Sequence, residues 1–209
     1  MTEGQLVQEI CGRLDRGETD RDQFFDQLTR AVADVIGCTR CGVWVFVDTA
    51  EGRALRCMAM YDRRLDRIVG AADMYTADFR PYFEALVQDG CVIAPQARSH
   101  PATAGFLDHY LLPLDLHSVL DVSFSINGVP FGVFSCEQAG AAQPWTQRQA
   151  QMLRQIGSRA SLALLHAATA GPDTQPAALW EPSSPNRLLT MPAPLELDAE
   201  PAERRRAPK

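Results

Sequence analysis

Thiols and imidazoles are the side chains of this sequence best suited to chemistry, with six cysteines and four histidines among 209 residues. Cys38 and Cys41 form a CxxC pair, a spacing used by thioredoxin-like redox sites and by half of a zinc site. A redox CxxC begins a helix, whose amino end lowers the thiol pKa, but this pair follows a predicted helix. The sequence contains no second CxxC or CxxH pair to complete a metal site. We therefore expect small, partly buried thiols and no metal, with redox sensing through Cys38 and Cys41 as the alternative.

Other nucleophiles lack a base at a productive spacing. Ser99 and His100 are adjacent in a segment that ends at Pro101, and neighbouring side chains rarely face each other. The sequence has no GxSxG, HExxH, GxGxxG or Walker motif. Lys209 is its only lysine, which leaves none in the folded body for a Schiff base or a phosphate-binding loop. These absences predict a protein that is not an enzyme, with no catalytic residues and no cofactor.

The charge and hydropathy of the chain limit the partners and the cellular compartment that we expect for it. A net charge of −6 and a pI near 5.2 disfavour a general nucleic-acid surface. No apolar run approaches the roughly 18 residues that a membrane helix requires. The first residues, MTEGQLVQEI, lack the basic and then apolar layout of a signal peptide. We expect a cytoplasmic protein with reduced cysteines and no membrane or nucleic-acid partner, and the preference for Arg over Lys is typical of a bacterial genome.

The chain is organised around residues 110–137, which contain a predicted β-hairpin. Residues 118–126 alternate between two faces. One face carries Val119, Asp121, Ser123 and Ser125, and the other carries Leu120, Val122, Phe124 and Ile126. Asn127-Gly128 favours a type I′ turn, because both central residues of that turn need a positive φ. Residues 129–136 are predicted to return as the second strand.

The remaining elements follow from apolar periodicity and capping signals. Asp20 with Gln23 forms a capping box before a helix that Gly37 ends, and Thr146 with Gln149 begins a long helix that reaches about residue 168. Further helices are predicted at residues 5–14, 77–88 and 103–110, and further strands at residues 43–48, 53–61, 67–69 and 91–94. The result is an α+β fold with a central antiparallel sheet and helices on both faces.

Composition divides the chain into three parts. Residues 1–18 hold an N-terminal helix that is a candidate dimerisation element, and residues 19–169 hold the main domain. Residues 170–209 form a tail or linker, in which eight of the 14 prolines of the chain lie and no apolar period is sustained. Such a composition predicts disorder.

The order of motifs in the second half resembles that of a known family. YL…LxxxSxLDV precedes NGxxxGVxxxE, and Pro144-Trp145-Thr146 opens the long helix. This order resembles GAF domains, the small-molecule sensing modules of signalling proteins, and the resemblance covers about residues 20–168. It implies terminal helices packed together on one face of the sheet, and a ligand pocket roofed by loops and short helices on the other. It also implies a non-enzymatic sensory or regulatory domain that relays through the terminal helices of a dimer.

A GAF-like pocket would combine apolar walls with few polar groups. The predicted ligand-binding residues are Tyr61, Met74, Tyr75, Phe79, Phe83, Cys91, Ser118, Leu120 and Asp121. Asp121 and Glu137 are acids in otherwise apolar strands, and we expect both to accept hydrogen bonds from a loop. The implied partners are an unknown small molecule, a signalling protein, and a second copy of the chain contacted through residues 6–14 and 153–164.

The resemblance also raises chemical alternatives. Bilin-binding members attach the chromophore through a cysteine usually followed by histidine, and no Cys-His pair occurs here. Free methionine sulfoxide reductases use cysteines within a longer signature, of which Asp89-Gly90-Cys91 matches only a part. Haem-binding members use one proximal histidine, for which His109 and His117 are the candidates. The spread NKFDE signature of cyclic-nucleotide-binding members is not found in order, and a pocket filled by side chains is a further alternative.

Overall fold

The computed structural model describes residues 3–126 and 129–169. The α-helices are α1 (Glu3–Asp15), α2 (Arg21–Ile36), α3 (Arg80–Asp89) and α4 (Gln147–Thr169). The strands are β1 (Arg40–Thr49), β2 (Gly52–Asp62), β3 (Arg67–Val69), β4 (Met74–Tyr75), β5 (Cys91–Ala94), β6 (Leu116–Ile126) and β7 (Val129–Ala139). Short helical segments connect β5 to β6 at Ala97–Ser99, Pro101–Phe106 and Leu107–Leu111.

The strands form one antiparallel sheet in the order β3-β2-β1-β7-β6-β5, with β4 pairing to β2 outside this path. The predicted hairpin is confirmed, because β6 and β7 pair from Leu116 with Ala139 to Ile126 with Val129. Its predicted turn, Asn127-Gly128, lies outside the described residues. β7 also pairs with β1, which puts the hairpin in the middle of the sheet.

A β-bulge interrupts the pairing of β1 with β2. Val43 opposes Ala59 whereas Trp44 opposes Cys57, so Met58 is the extra residue of β2. An extra residue shifts the alternation of side chains between the two faces of a strand by one position. Before the bulge, odd-numbered residues of β2 face the α3 side of the sheet, and after it even-numbered residues do.

Helices cover both faces of the sheet, as predicted. On one face α1, α2 and α4 pack together over a core that includes Phe24, Leu28 and Leu153, all with no exposed surface. On the other face α3 and the short helical segments cover a second core around Tyr82 and Phe106. Burying a large apolar side chain stabilises the fold by about 1.5–3 kcal/mol, so each helical layer is held mainly by its apolar stripe.

Both predicted capping boxes are confirmed. Asp20 Oδ1 accepts a hydrogen bond from the Gln23 backbone N–H at 2.8 Å, and Gln23 Oε1 accepts one from the Asp20 N–H at 3.2 Å. Thr146 Oγ1 accepts from the Gln149 N–H at 3.2 Å, and Gln149 Oε1 accepts from the Thr146 N–H at 2.9 Å. Gln149 Nε2 also donates to the carbonyl oxygen of Ile36 at 3.0 Å. The start of α4 is therefore tied to the end of α2.

The sequence prediction differs from the structure between β3 and β6. α3 begins at Arg80 rather than at residue 77, because Pro81 occupies its first turn, where the fixed φ of proline suits helix entry. β4 is absent from the prediction, since a strand of two residues shows no periodicity. The helix predicted at residues 103–110 is two irregular helical segments, stabilised by a hydrogen bond of 2.6 Å from Thr103 Oγ1 to the Ala97 carbonyl.

The predicted domain boundaries stay predictions, and residues 170–209 lie outside the described residues. Among the helices of the described ranges, none combines the length and the apolar content that a membrane crossing requires.

Candidate functional site

A cavity of about 180 Å³ lies between the sheet and the layer formed by α3 and the short helical segments. Its sheet wall consists of Trp44, Val119, Asp121, Ser135 and Glu137. Its opposite wall includes Phe79, Tyr82, Thr103, Phe106, Tyr110 and Leu111, and Met74 of the short strand β4 also lines it. The exposed lining residues are Ala72, Gly105 and His109, and they mark its mouth.

The structure brings three of the nine predicted ligand-binding residues to this cavity, namely Met74, Phe79 and Asp121. Phe83 belongs to the same core but packs behind the wall, with 5.5 Å between its ring centroid and that of Tyr82. Tyr75 lies on β4, and its hydroxyl donates to the Glu51 carboxylate outside the cavity.

Tyr61, Cys91 and Leu120 lie on the other face of the sheet, beneath the terminal helices. Strict alternation along β2 would place Tyr61 on the cavity side, but the bulge at Met58 turns it to the helix side. Cys91 accepts a hydrogen bond of 3.3 Å from Arg154 Nη2 of α4. These three side chains are therefore separated from the cavity by the sheet, which corrects the expectation that all nine share one pocket.

Ser118 is buried in the sheet and serves the connections around it. Its hydroxyl donates to the Pro95 carbonyl at 2.8 Å and accepts from the Gln143 backbone N–H at 2.7 Å. Both hydrogen-bonding roles of the hydroxyl are thus filled within the protein. Contact of any of the nine residues with a ligand stays a prediction.

A row of buried charges crosses the sheet beside the cavity. The strand register places Asp62 opposite Arg40 on one side and Glu137 opposite it on the other. Arg40 Nη1 lies 2.6 Å from Glu137 Oε2, and Arg40 Nε lies 3.1 Å from Asp62 Oδ2. All three residues are 3% exposed. These charges must therefore compensate one another with little help from water.

Two further side chains complete this charged row. The Tyr110 hydroxyl donates to Glu137 Oε1 at 2.6 Å and accepts from Arg40 Nη1 at 3.1 Å, so Glu137 accepts a hydrogen bond from the helical segment Leu107–Leu111 rather than from a loop. Arg64 Nη2 lies 2.9 Å from Asp62 Oδ2. Although burial opposes ionisation of Asp62, the Arg64 hydrogen bond and the Arg40 charge keep its pKa below the ordinary value. Each of the two carboxylates thus has a cationic partner.

Asp121 is held differently from these carboxylates. Its Oδ2 accepts a hydrogen bond of 2.5 Å from the Tyr82 hydroxyl, so the donor lies on helix α3 rather than on a loop. Its Oδ1 is buried and has no hydrogen-bond partner among the described residues. Burial raises the pKa of Asp121 to about 7; the Glu137 charge acts in the same direction, and the Tyr82 and Ser135 hydroxyls oppose it. The cavity is therefore lined by a carboxyl group that has one unpartnered buried oxygen and a pKa raised to about 7.

Most residues of this site are missing from the sequence prediction, among them Arg40, Tyr110 and Trp44. The available signal for Arg40 was a charge at the start of an apolar strand, which is costly to bury without a partner. Its partner Glu137 lies 97 positions away in the sequence, so the pairing itself has no local signature.

The model of the GAF domain family matches residues 20–164. The chain belongs to the GAF domain family. GAF domains are sensory and signalling modules, and the cavity lies on the sheet face opposite the terminal helices, as the motif order implies. No curated protein sequence matches the chain.

Solved GAF domains share the fold of this GAF domain. One from an Acinetobacter phosphoenolpyruvate-protein phosphotransferase has a TM-score of 0.61 and 16% identity, covering 82% of this chain and 98% of that one. One from a Coxiella burnetii phosphoenolpyruvate-protein phosphotransferase has a TM-score of 0.59 and 13% identity, and the match covers 81% of this chain and 99% of that one. The phycoerythrobilin-bound GAF domain of a cyanobacterial phytochrome has a TM-score of 0.62 and 13% identity, and the match covers 80% of this chain and 96% of that one. Likeness at such low identity establishes the fold alone.

Four thiols of this GAF domain are poorly placed for redox chemistry. Cys38, Cys41 and Cys136 cluster beneath the helices and are at most 2% exposed. Contact with Cys136 and burial raise the pKa of Cys38, and burial raises the pKa of Cys41 and of Cys136. Burial also raises the pKa of Cys57 to about 12. Because the thiolate is the reactive form, these thiols favour a structural role over redox sensing.

The haem and bilin alternatives find little support in the site. His109 is exposed at the mouth, and His117 Nε2 lies 3.0 Å from Asp115 Oδ1, away from the cavity. A metal ion held by several side chains is a separate case, for which the described part of the chain has no group of three or more His, Cys, Asp or Glu suitably arranged. A cavity of about 180 Å³ is smaller than the roughly 300–1,000 Å³ of drug-sized pockets. A tetrapyrrole therefore does not fit the cavity in the conformation described.

Proposed function

We propose that this GAF domain is a non-catalytic sensory module of signal transduction, which binds a small molecule in the cavity and relays binding through its terminal helices to a signalling partner. The observation that carries the proposal is that Asp121, whose buried Oδ1 has no hydrogen-bond partner among the described residues, lines a cavity with aromatic surroundings. A buried polar atom without a partner costs free energy unless a ligand or water satisfies it.

Strand β6 connects the cavity to helix α4. Asp121 lines the cavity, whereas its neighbours Leu120 and Val122 belong to the core beneath α4. The contact between strand and helix is close, since a Cβ added to Gly157 of α4 would lie 2.6 Å from the Cβ of Phe124. Close-packed contacts of this kind transmit small displacements. A shift of β6 on ligand binding would therefore move α4.

We expect the substitution Ala71→Leu to weaken small-molecule binding by about tenfold or more, a loss of at least about 1.4 kcal/mol. Ala71 is buried and lines the cavity. The larger leucine side chain would occupy part of the roughly 180 Å³ and compete with a ligand for it. Titration of ¹⁵N-labelled protein with a set of single-ring organic compounds, followed by chemical-shift changes, measures the affinities.

The matched control is Ala77→Leu, which makes the same change at an exposed alanine outside the cavity. It should bind every compound as the wild type does, and thermal melting of both variants reports whether either has lost its fold. Compounds that bind Ala71→Leu as tightly as the wild type would show that this cavity is not the sensory site.

The proposal includes a homodimer built through the terminal helices. The apolar face of residues 153–164, expected to contact a second copy, packs within the chain instead, because Leu153 and Leu164 are buried in the core. The outer side of α4 exposes other apolar residues instead, with Leu162 at 55% and Leu165 at 38% exposure. Apolar residues spaced in this way on one helix are typical of a helix–helix contact.

We expect Leu162→Glu to weaken dimerisation by about tenfold or more, because it places a charge in an apolar contact. Sedimentation equilibrium over a range of concentrations measures the dissociation constant. Val87→Glu is the control, since Val87 is 75% exposed on α3, which covers the other face of the sheet. A wild-type protein that stays monomeric, or a Leu162→Glu protein that dimerises normally, would contradict the dimer.

The proposed setting is the cytoplasm. All six cysteines are free, and thiols persist in reducing compartments, whereas secreted proteins tend to form disulfides. Recovery of the native protein in a periplasmic or extracellular fraction would contradict this placement.

A further inference from the structure

The lining of the cavity is rich in aromatic side chains, whose rings also pack against one another. Phe79 and Phe106 stack with 4.4 Å between ring centroids and 20° between their planes. Tyr82 meets Phe106 edge to face at 5.1 Å, and Trp44 lies on the sheet side. Aromatic side chains gain free energy from offset stacking and from edge-to-face contacts with a further ring.

The volume of the cavity limits a bound ligand to a single ring. A cavity of about 150 Å³ binds benzene, and one water molecule occupies about 30 Å³ in the liquid. The cavity of about 180 Å³ therefore has room for one six-membered ring and a short substituent. A fused purine or a nucleotide would require the roof to move.

The charged side chains around the cavity favour a ligand that carries a positive charge. Glu137 and Asp62 already share Arg40, and Asp73 at the cavity wall is paired with Arg56 at 2.9 Å. Among the described residues, Asp121 is contacted by the neutral hydroxyls of Tyr82 and Ser135 and has no cationic partner, and its buried Oδ1 has no hydrogen-bond partner. A buried carboxylate without a positive partner is strongly disfavoured, so a ligand that supplies the positive charge gains that interaction.

We infer that the cavity takes a single-ring aromatic ligand that carries one short cationic nitrogen group, whose N–H donates to Asp121 Oδ1 while the ring packs among Phe79, Phe106 and Tyr82. This inference rests on the proposed sensory function, since it names the class of molecule that the same cavity would bind.

The test compares benzylamine with benzyl alcohol, which has the same size and shape but no charge. Calorimetric titration is done at about pH 8, where Asp121 is mainly ionised and a primary amine is mainly protonated. Because hydrogen bonds between charged groups contribute more than neutral ones, we expect benzylamine to bind about tenfold to a hundredfold more tightly. Asp121→Asn should remove this preference while retaining binding of benzyl alcohol.

Toluene, as a third probe, separates failure of the inference from failure of the proposed function. Binding of toluene or benzyl alcohol as tightly as benzylamine would overturn the cationic ligand and leave the sensory cavity standing. Absence of binding by all three probes would overturn both. The comparison of probes on the wild type is decisive even where Asp121→Asn is too unstable to purify.

Discussion

Replacing Arg40 with methionine is expected to lower the free energy of unfolding by about 3–5 kcal/mol, the usual cost of removing one partner from a buried ion pair. Arg40 holds Glu137 at 2.6 Å and Asp62 at 3.1 Å, and all three residues are almost fully buried. Methionine keeps an unbranched apolar stem but leaves Glu137 without a cation. Urea denaturation followed by circular dichroism measures the change.

Arg64→Met is the matched control for this loss, because Arg64 also pairs with Asp62 but its side chain is 39% exposed. Exposed ion pairs contribute about 0–1 kcal/mol, so this variant should remain close to the wild type. Adding Glu137→Gln to Arg40→Met should recover part of the lost stability, since the stranded charge is then removed. If Arg40→Met were as mild as Arg64→Met, the buried row would not be a main source of stability.

The free energy of unfolding of Asp121→Asn is expected to exceed that of the wild type by an amount that grows as the pH rises from about 4 to about 8. Burial raises the pKa of Asp121 from 3.8 to about 7. Between these values the folded state keeps a proton that the unfolded state has released, so the unfolding free energy of the wild type falls with rising pH. A shift of about three pKa units corresponds to a change on the order of 4 kcal/mol.

The measurement is the difference in unfolding free energy between Asp121→Asn and the wild type at several pH values. Asparagine can still accept the Tyr82 hydrogen bond but cannot ionise, so the difference should grow through this window and level off above about pH 7. The control is Asp66→Asn, at an exposed residue whose pKa is lowered by Arg30, and it should show no such gain. Parallel curves for the wild type and Asp121→Asn from about pH 4 to 8 would contradict the raised pKa.

Local signals carried most of the fold prediction. The capping boxes at Asp20 and Thr146 involve residues three apart in sequence, so they can be recognised without knowing the tertiary structure. The two faces of β6 follow from strict alternation, which correctly groups Leu120 with Val122, although Leu120 is among the predicted ligand-binding residues and lies in the helix-side core instead. In both cases the interaction that shapes the element lies within the element itself.

The candidate site was only partly predictable, because it depends on pairing between distant strands. Counting back from the turn between Thr49 and Gly52 without a bulge sets Tyr61, not Asp62, opposite Arg40. A single extra residue in β2 therefore hides the ionic row and also moves Tyr61 out of the pocket. The size of the cavity is a matter of three-dimensional packing between two layers, for which the sequence offers no local pattern.

The bulge at Met58 has a consequence for how the lengths of related chains are to be compared. Because Met58 opposes no residue of β1, a relative that lacks this one residue would have a regular strand and still set its acid opposite the arginine. A gap belongs at this position, because placing it in the turn at residues 49–52 would leave the acid correctly aligned but shift residues 53–57 by one position. The bulge is thus where β2 can absorb a one-residue insertion or deletion without disturbing the charges beside the cavity.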